Sequence, residues 1–218
     1  GVFGGVIRRT AGTLDVTKTG GGTQTLGGTN SYNGATVVNG GILALGGSNT
    51  LAGTVTVNAG ATLRLGHPQA LGGAPLVVAA GGATLDTTGL AAPLPLASGQ
   101  TLRIDGDGAT ATLATAPGNG LATAATGALH INAYDGATPA LTVAGGGGLT
   151  VSSNSAVTVT VAGETPLAIG DYLLVTDGAA GVAPAAVTVN GAGRAAATTA
   201  ELLFDGDDLV LRITPYAP

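Results

Sequence analysis

Two histidines, His67 and His130, make up the whole imidazole complement of the 218-residue chain, which has no cysteine. A metal centre needs several converging His, Cys, Asp or Glu ligands, and two isolated histidines do not supply them. His67 precedes Pro68 in a stretch that reads as a loop. His130 alternates with Leu129 and Ile131, which places it on the outward side of a strand. Five of the twelve carboxylates form two clusters, Asp105-Gly106-Asp107 and Asp205-Gly206-Asp207-Asp208. Neither has the EF-hand spacing or the Gly-Gly-x-Gly-x-Asp nonapeptide of calcium-binding coils, and both read as Asp-Gly turns. A β-helical polysaccharide-degrading enzyme would need clustered acids with basic partners in a cleft, and no such cluster is evident; Asp86 and Asp105 are the acids whose substitution would test that reading. No Gly-x-Ser-x-Gly elbow and no Ser/His/Asp set is present. The glycine runs at 20–22 and 145–148 lack the Gly-Lys-Ser/Thr that completes a phosphate-binding loop. The expectation is therefore no catalytic residue, no cofactor-binding residue and no metal ligand.

The composition points to a repeat array. Charged residues make up 9% of the chain, against about 25% in ordinary domains. Glycine occurs 40 times, and aromatic residues are only 3%. A compact core of this size would use more large side chains, so a narrow interior of Val, Leu, Ile and Ala fits better. Glycine has no three-residue period, which excludes collagen. The 44% apolar content excludes a disordered chain. A net charge of −5 argues against nucleic acid as a partner. No run approaches the ~18 apolar residues of a membrane-spanning helix. No secretory signal opens the chain, and its start inside a repeat suggests a piece of a longer polypeptide.

The elements that would position any site recur along residues 13–65. Gly40-Gly-Ile-Leu-Ala-Leu45, Gly53-Thr-Val-Thr-Val-Asn58 and Ala59-Gly-Ala-Thr-Leu-Arg-Leu65 alternate short strands with Gly and Asn corners. Self-similarity at roughly 20 residues with strand-like content predicts a solenoid. In Thr54–Val57 and Thr62–Leu65 the Val and Leu side chains point inward while Thr and Arg face water. Asn39 and Asn58 occupy matching corners, where their amides would stack. Leu43, Leu63, Leu85 and Leu102 are the expected equivalent inward positions. The order of strand, glycine turn and strand recurs at 75–86 and 93–105, with further strands at 127–131 and 148–152. Ala109–Ala125 reads as a looser coil or excursion, and Ala-rich 179–200 has room for a turn or two of helix. About eight coils in a rod about 40 Å long are expected.

Residues 164–218 change character. Tyr172–Val175 is a denser apolar strand, and Glu201 to Ile213 reads as a hairpin around an Asp205-Gly206 turn, with Phe204 and Leu211 in the core. Such a unit would cover the open sheet edge at the end of a solenoid. The resulting expectation is an all-β parallel β-helix stem over 1–163 with a β-hairpin cap over 164–218.

Lys18-Thr-Gly-Gly-Gly-Thr-Gln-Thr-Leu26, Thr29-Asn-Ser-Tyr-Asn-Gly34 and Thr36-Val-Val-Asn-Gly-Gly-Ile-Leu43 together resemble the autotransporter passenger-associated repeat. Gln24 stands where that pattern usually has Leu. Gly170-Asp-Tyr-Leu-Leu-Val175 through Leu203-Phe-Asp-Gly-Asp-Asp-Leu-Val-Leu211 resembles the C-terminal end of a passenger, the autochaperone region. The resemblance implies a bacterial type V secreted protein at the cell surface or outer membrane, or released. It also implies a right-handed, single-stranded parallel β-helix; the chain is expected to be a monomer and, from the missing catalytic sets, to lack enzymatic activity. In the parent polypeptide an N-terminal effector domain and a C-terminal outer-membrane β-barrel would be covalently attached. The expected role is a stem that displays the effector and promotes passenger folding. The alternative is an adhesin whose surface ligand is a host glycan or protein.

Overall fold

The structure, a computed structural model, describes residues 1–79, 81–97, 99–123 and 127–216. Every helix or strand among them is a strand. In the first part, strands of two to four residues alternate with Gly/Asn corners. They are β1 (Val2–Phe3), β2 (Val16–Lys18), β3 (Thr23–Leu26), β4 (Thr36–Val38), β5 (Ile42–Leu45), β6 (Val55–Val57), β7 (Thr62–Leu65), β8 (Leu76–Ala79) and β9 (Thr84–Asp86). The remainder comprises β10 (Leu94–Leu96), β11 (Thr101–Asp105), β12 (Ala111–Ala114), β13 (Gly120–Thr123), β14 (Ala128–Tyr134), β15 (Leu141–Ala144), β16 (Gly148–Val151), β17 (Ala156–Val161), β18 (Gly170–Thr176), β19 (Ala179–Gly181), β20 (Val187–Gly191), β21 (Thr198–Asp205) and β22 (Asp208–Pro215).

Each strand from β1 to β20 pairs in parallel with the corresponding strand one coil away, which makes the chain an all-β parallel β-helix. A ten-stranded sheet runs β1-β3-β5-β7-β9-β12-β15-β18-β22-β21, and an eight-stranded sheet runs β2-β4-β6-β8-β11-β14-β17-β20. A four-stranded sheet, β10-β13-β16-β19, opens a third side in the later coils. Eight parallel levels are present in each of the two long sheets, as the repeat length predicts. The coil lengthens as the third side appears. Successive inward positions Gln24, Leu43, Leu63 and Leu85 pair at steps of 19, 20 and 22 residues. The next two steps, to Leu113 and Val143, are 28 and 30.

Alternation explains the interior. Val55, Val57, Leu63 and Leu65 are fully buried while Arg64 is exposed. A single continuous apolar cluster extends from Leu26 to Ile213. Each such Val or Leu withdrawn from water contributes roughly 1.5–3 kcal/mol. Corners require tight turns, and Gly41 shows why glycine serves there. Its φ is +62°, and a Cβ would run into the backbone of Gly20, Gly21 and Gly22 one coil below.

Four expectations need correction. Leu102 does not continue the Leu43 column: it lies in the eight-stranded sheet, between Leu76 and Leu129, and Leu113 takes the expected place beside Leu85. The pair of strands at 93–105 likewise belongs to the third and second sheets. Ala109–Ala125 is no excursion, because β12 and β13 are regular ladder strands, although residues 124 and 125 of that stretch lie outside the described residues. The Ala-rich 179–200 stretch contains β19, β20 and the start of β21 instead of helix, since each strand finds a ladder partner.

Parallel pairing continues through β18, β19 and β20. Antiparallel pairing begins with β22, which lies against β18 and carries β21 on its far side. The hairpin is present as expected, but its two turn residues are Gly206-Asp207, with Asp205 paired to Asp208. Gly206, at φ +62°, occupies the first central position, where a type II′ turn needs positive φ. Leu211 is fully buried, whereas Phe204 is only partly buried against the core.

Candidate functional site

The residues nominated by chemistry are distributed over separate coils and are already engaged in structural bonds. In the loop after β7, His67 accepts a hydrogen bond at Nδ1 from the Gln69 N–H, 3.0 Å. His130 lies on the outward side of β14 and pairs through Nε2 with Thr160 Oγ1, 2.9 Å away. Burial lowers the His130 pKa, and the neighbouring Arg103 guanidinium lowers it further against an opposing pull from Asp105. No group of three or more His, Asp or Glu residues able to hold a metal occurs among the described residues.

Asp86, at the end of β9, receives Arg64 Nε at 2.6 Å on one oxygen. Its other oxygen accepts from the Thr88 N–H and hydroxyl at 3.0 and 2.6 Å. Burial opposes ionisation of Asp86, but these bonds and the Arg64 charge hold its pKa below the ordinary carboxylate value. Asp105 accepts from Arg103 Nε at 2.6 Å and from Asn132 Nδ2 at 2.8 Å. Asp86 and Asp105 belong to different sheets and so do not face each other across a cleft. The Asp105-Gly106-Asp107 segment stacks directly on the coil above, with Gly106 and Asp107 N–H groups donating to Asn132 and Ala133 carbonyls.

The second acidic cluster is a clamp between the hairpin and the last coils. The Asp207 carbonyl accepts from the N–H groups of Gly178 and Ala179, at 2.9 and 2.6 Å, and Asp208 Oδ1 accepts from the Asp177 N–H at 3.0 Å. On the opposite end of β22, Arg212 makes a bidentate pair with Asp171 of β18, both contacts 2.7 Å. The glycine runs also serve stacking. Gly20–Gly22 lie beneath the Gly41 corner, and Gly147 donates to Thr115 Oγ1 at 2.8 Å.

The interior holds polar ladders that the sequence reading missed. Asn30 and Asn49, both fully or almost fully buried, stack one coil apart. Ile7 N–H donates to Asn30 Oδ1, Asn30 donates to Asn49 Oδ1, and Asn49 Nδ2 donates to the Ala70 carbonyl. Their separation of 19 residues matches the first coil step, which is the signal that reveals them. The corner pair that was expected is also present: Asn58 Nδ2 donates to Asn39 Oδ1 at 2.6 Å. Surface grooves occur between coils. One of about 510 Å³ is lined by Gly118, Gly146, Gly178 and Asp207, and one of about 380 Å³ by Asn154, Ser155, Pro184 and Thr188. Neither has an aromatic wall on which a sugar ring would stack.

Large apolar side chains are exposed near both ends: Val2, Phe3 and Val6 in the first coil, and Ile169, Leu173, Val182 and Tyr216 in the last ones. Within the hairpin, Leu202, Leu209, Leu211 and Ile213 are at most 6% exposed.

Residues 16–45 and 40–65 match the family model described as passenger-associated-transport-repeat. No curated protein and no solved structure matches the chain. The matched windows run from β2 through β7, the part of the solenoid where coils are shortest and most alike. This segment of the β-helix is built of autotransporter passenger repeats.

Proposed function

We propose that the chain is a stem of an autotransporter passenger, displaying a more N-terminal effector and promoting passenger folding during outer-membrane secretion. The observation that carries this reading is a solenoid bearing passenger repeats whose single core runs on into an antiparallel hairpin. The β21–β22 hairpin adds two antiparallel strands beyond β18 of the ten-stranded sheet and buries Leu202, Leu209, Leu211 and Ile213 against the common core. The hairpin is local in sequence and antiparallel, so it closes with little loop entropy. It thereby offers β18 a partner on which parallel coils can accumulate. Each coil added outside the cell buries further Leu and Val, which biases transport outward without any catalytic residue. The protein then resides at the bacterial surface or is released from it, with a translocator barrel attached on the C-terminal side.

The test uses the full-length parent. Deleting residues 198–216 should reduce both surface display and protease resistance of the passenger, whereas a same-length deletion within the early coils should leave export of the remainder intact. Undiminished display and folding without the hairpin would overturn the folding role.

A further inference from the structure

Asparagine precedes glycine four times, at Asn33, Asn39, Asn119 and Asn190. In such a pair the glycine amide nitrogen can attack the asparagine side-chain carbonyl carbon, because glycine carries no Cβ to obstruct it. The structure holds the four pairs very differently. The Gly34 N–H is committed to the Leu14 carbonyl, and Asn33 Oδ1 accepts from Leu14 N–H. Asn119 is buried and tied at both ends of its amide, accepting from Ala116 N–H and donating to the Leu90 carbonyl. Asn190 is exposed on the last strand of its sheet, with no hydrogen-bond donor at its side-chain oxygen among the described residues.

Asn39 differs from all three. It is exposed at a corner, and the Gly40 N–H donates no hydrogen bond among the described residues. Its Oδ1 accepts from Asn58 Nδ2 at 2.6 Å. That oxygen gains negative charge when a nucleophile adds to Cγ, so the Asn58 donor is placed where an oxyanion would form. Lys18 Nζ donates to the Gly40 carbonyl at 2.9 Å, which puts a cation on the residue whose amide must ionise.

We propose that Asn39–Gly40 is a self-modifying site, converted through a cyclic imide to aspartate and isoaspartate in the folded protein. Hydroxide removes the Gly40 amide proton, and the nitrogen bonds to Asn39 Cγ. The Cγ–Nδ2 bond breaks, and the departing nitrogen takes a proton from water to leave as ammonia, regenerating hydroxide. Water then opens either carbonyl of the imide, giving a carboxylate at position 39 and either a normal or a lengthened backbone. The rung that Asn58 stacks on thus becomes an anion. The lengthened form adds one backbone atom to a corner that must superimpose on its neighbours.

The test incubates the folded chain at mildly alkaline pH and follows all four sites by peptide mapping, with separation of the two acid products. Asn39 should convert first, Asn190 more slowly, and Asn33 and Asn119 not detectably, while in urea all four should converge on similar rates. N58A and K18Q should each slow conversion at Asn39 by roughly three- to tenfold, the effect of losing about one hydrogen bond from the transition state. Gly40→Ala should nearly stop it; its Cβ would meet nothing closer than the Gly20 backbone at 3.6 Å, so the fold accommodates the change. An inert Asn39 in the folded chain, faster reaction at Asn33 or Asn119, or acceleration by N58A in a chain that still folds would overturn the proposal.

Discussion

Asn30 lies one coil from Asn49 and donates to the same oxygen twice. Its backbone N–H reaches Asn49 Oδ1 at 2.9 Å and its side-chain Nδ2 reaches it at 3.0 Å. Both residues are within 2% of full burial, so neither amide can turn to water instead. The ladder thereby fixes the register of three coils from inside, where the third side of the early solenoid has no strands of its own.

Asn49→Ala should consequently be among the more damaging single changes. It leaves two buried Asn30 donors and the Ala70 carbonyl without their partner, at about 1–3 kcal/mol for each unsatisfied group. A loss of roughly 3 kcal/mol or more in urea unfolding is expected. Asn58→Ala, which removes an exposed rung, should cost less than about 1 kcal/mol.

Gly41 and Gly60 separate two reasons for glycine at a corner. Both have positive φ, +62° and +69°. At Gly60 a Cβ would meet nothing within 4 Å, whereas at Gly41 it would collide with the coil below. Gly60→Ala should therefore cost only the left-handed backbone penalty of about 1–2 kcal/mol. Gly41→Ala should cost clearly more and broaden the unfolding transition, because two coils must separate to admit one methyl group. Equal losses in the two variants would show that coil contact at the corner contributes nothing.

The two ends of the stack lend themselves to a matched comparison. Leu211 is fully buried in the hairpin, and truncation to Ala should cost about 2–5 kcal/mol. Val2, 81% exposed on β1, should tolerate the same truncation within about 0.5 kcal/mol. Thermal unfolding of both variants, with binding of a hydrophobic dye in the native state as a second readout, checks the pair. If the hairpin closes the end of the core, only Leu211→Ala increases dye binding.

These contrasts explain which parts of the fold could be read from sequence. Residues 13–65 were legible because strand alternation and a nearly constant step coincide there, so inward residues could be matched coil to coil. Beyond Leu85 the step jumps to 28 residues, and alternation alone identifies the inward face but not which of three sheets a strand joins. That is how Leu102 fell into the wrong column. Pro95 did not hide β10, which the strand, turn and strand order at 93–105 anticipates; β10 is the first strand of its sheet, where a missing N–H can face away from the ladder. The Ala/Thr run around β12 lacked contrast because Ala111 fills a core position with a methyl group. The acidic groups were visible as turns, but their partners, Arg64, Thr88 and the 177–179 segment, depend on register that the sequence does not display.

Acid should weaken the fold in two separable steps. His130 has a folded pKa below its ordinary value of 6.5, through burial first and the Arg103 charge second. The unfolded chain therefore takes up the proton before the folded chain does. The contribution of the neutral imidazole is present above about pH 6.5 and is lost as pH falls through the lower folded value. Asp86 and Asp171 are also depressed, Asp86 despite its burial and Asp171 through its Arg212 pair. Their contributions are present above the ordinary carboxylate value near 3.8 and disappear only as pH falls below it toward the folded values. Urea midpoints measured from pH 8 to 3 should show an upper decline and a lower one. His130→Gln should abolish the upper decline and leave the lower. Arg103→Gln should shrink the upper decline, because Asp105 then acts on the imidazole without the opposing guanidinium. An upper decline that persists unchanged in His130→Gln would assign that step to another group.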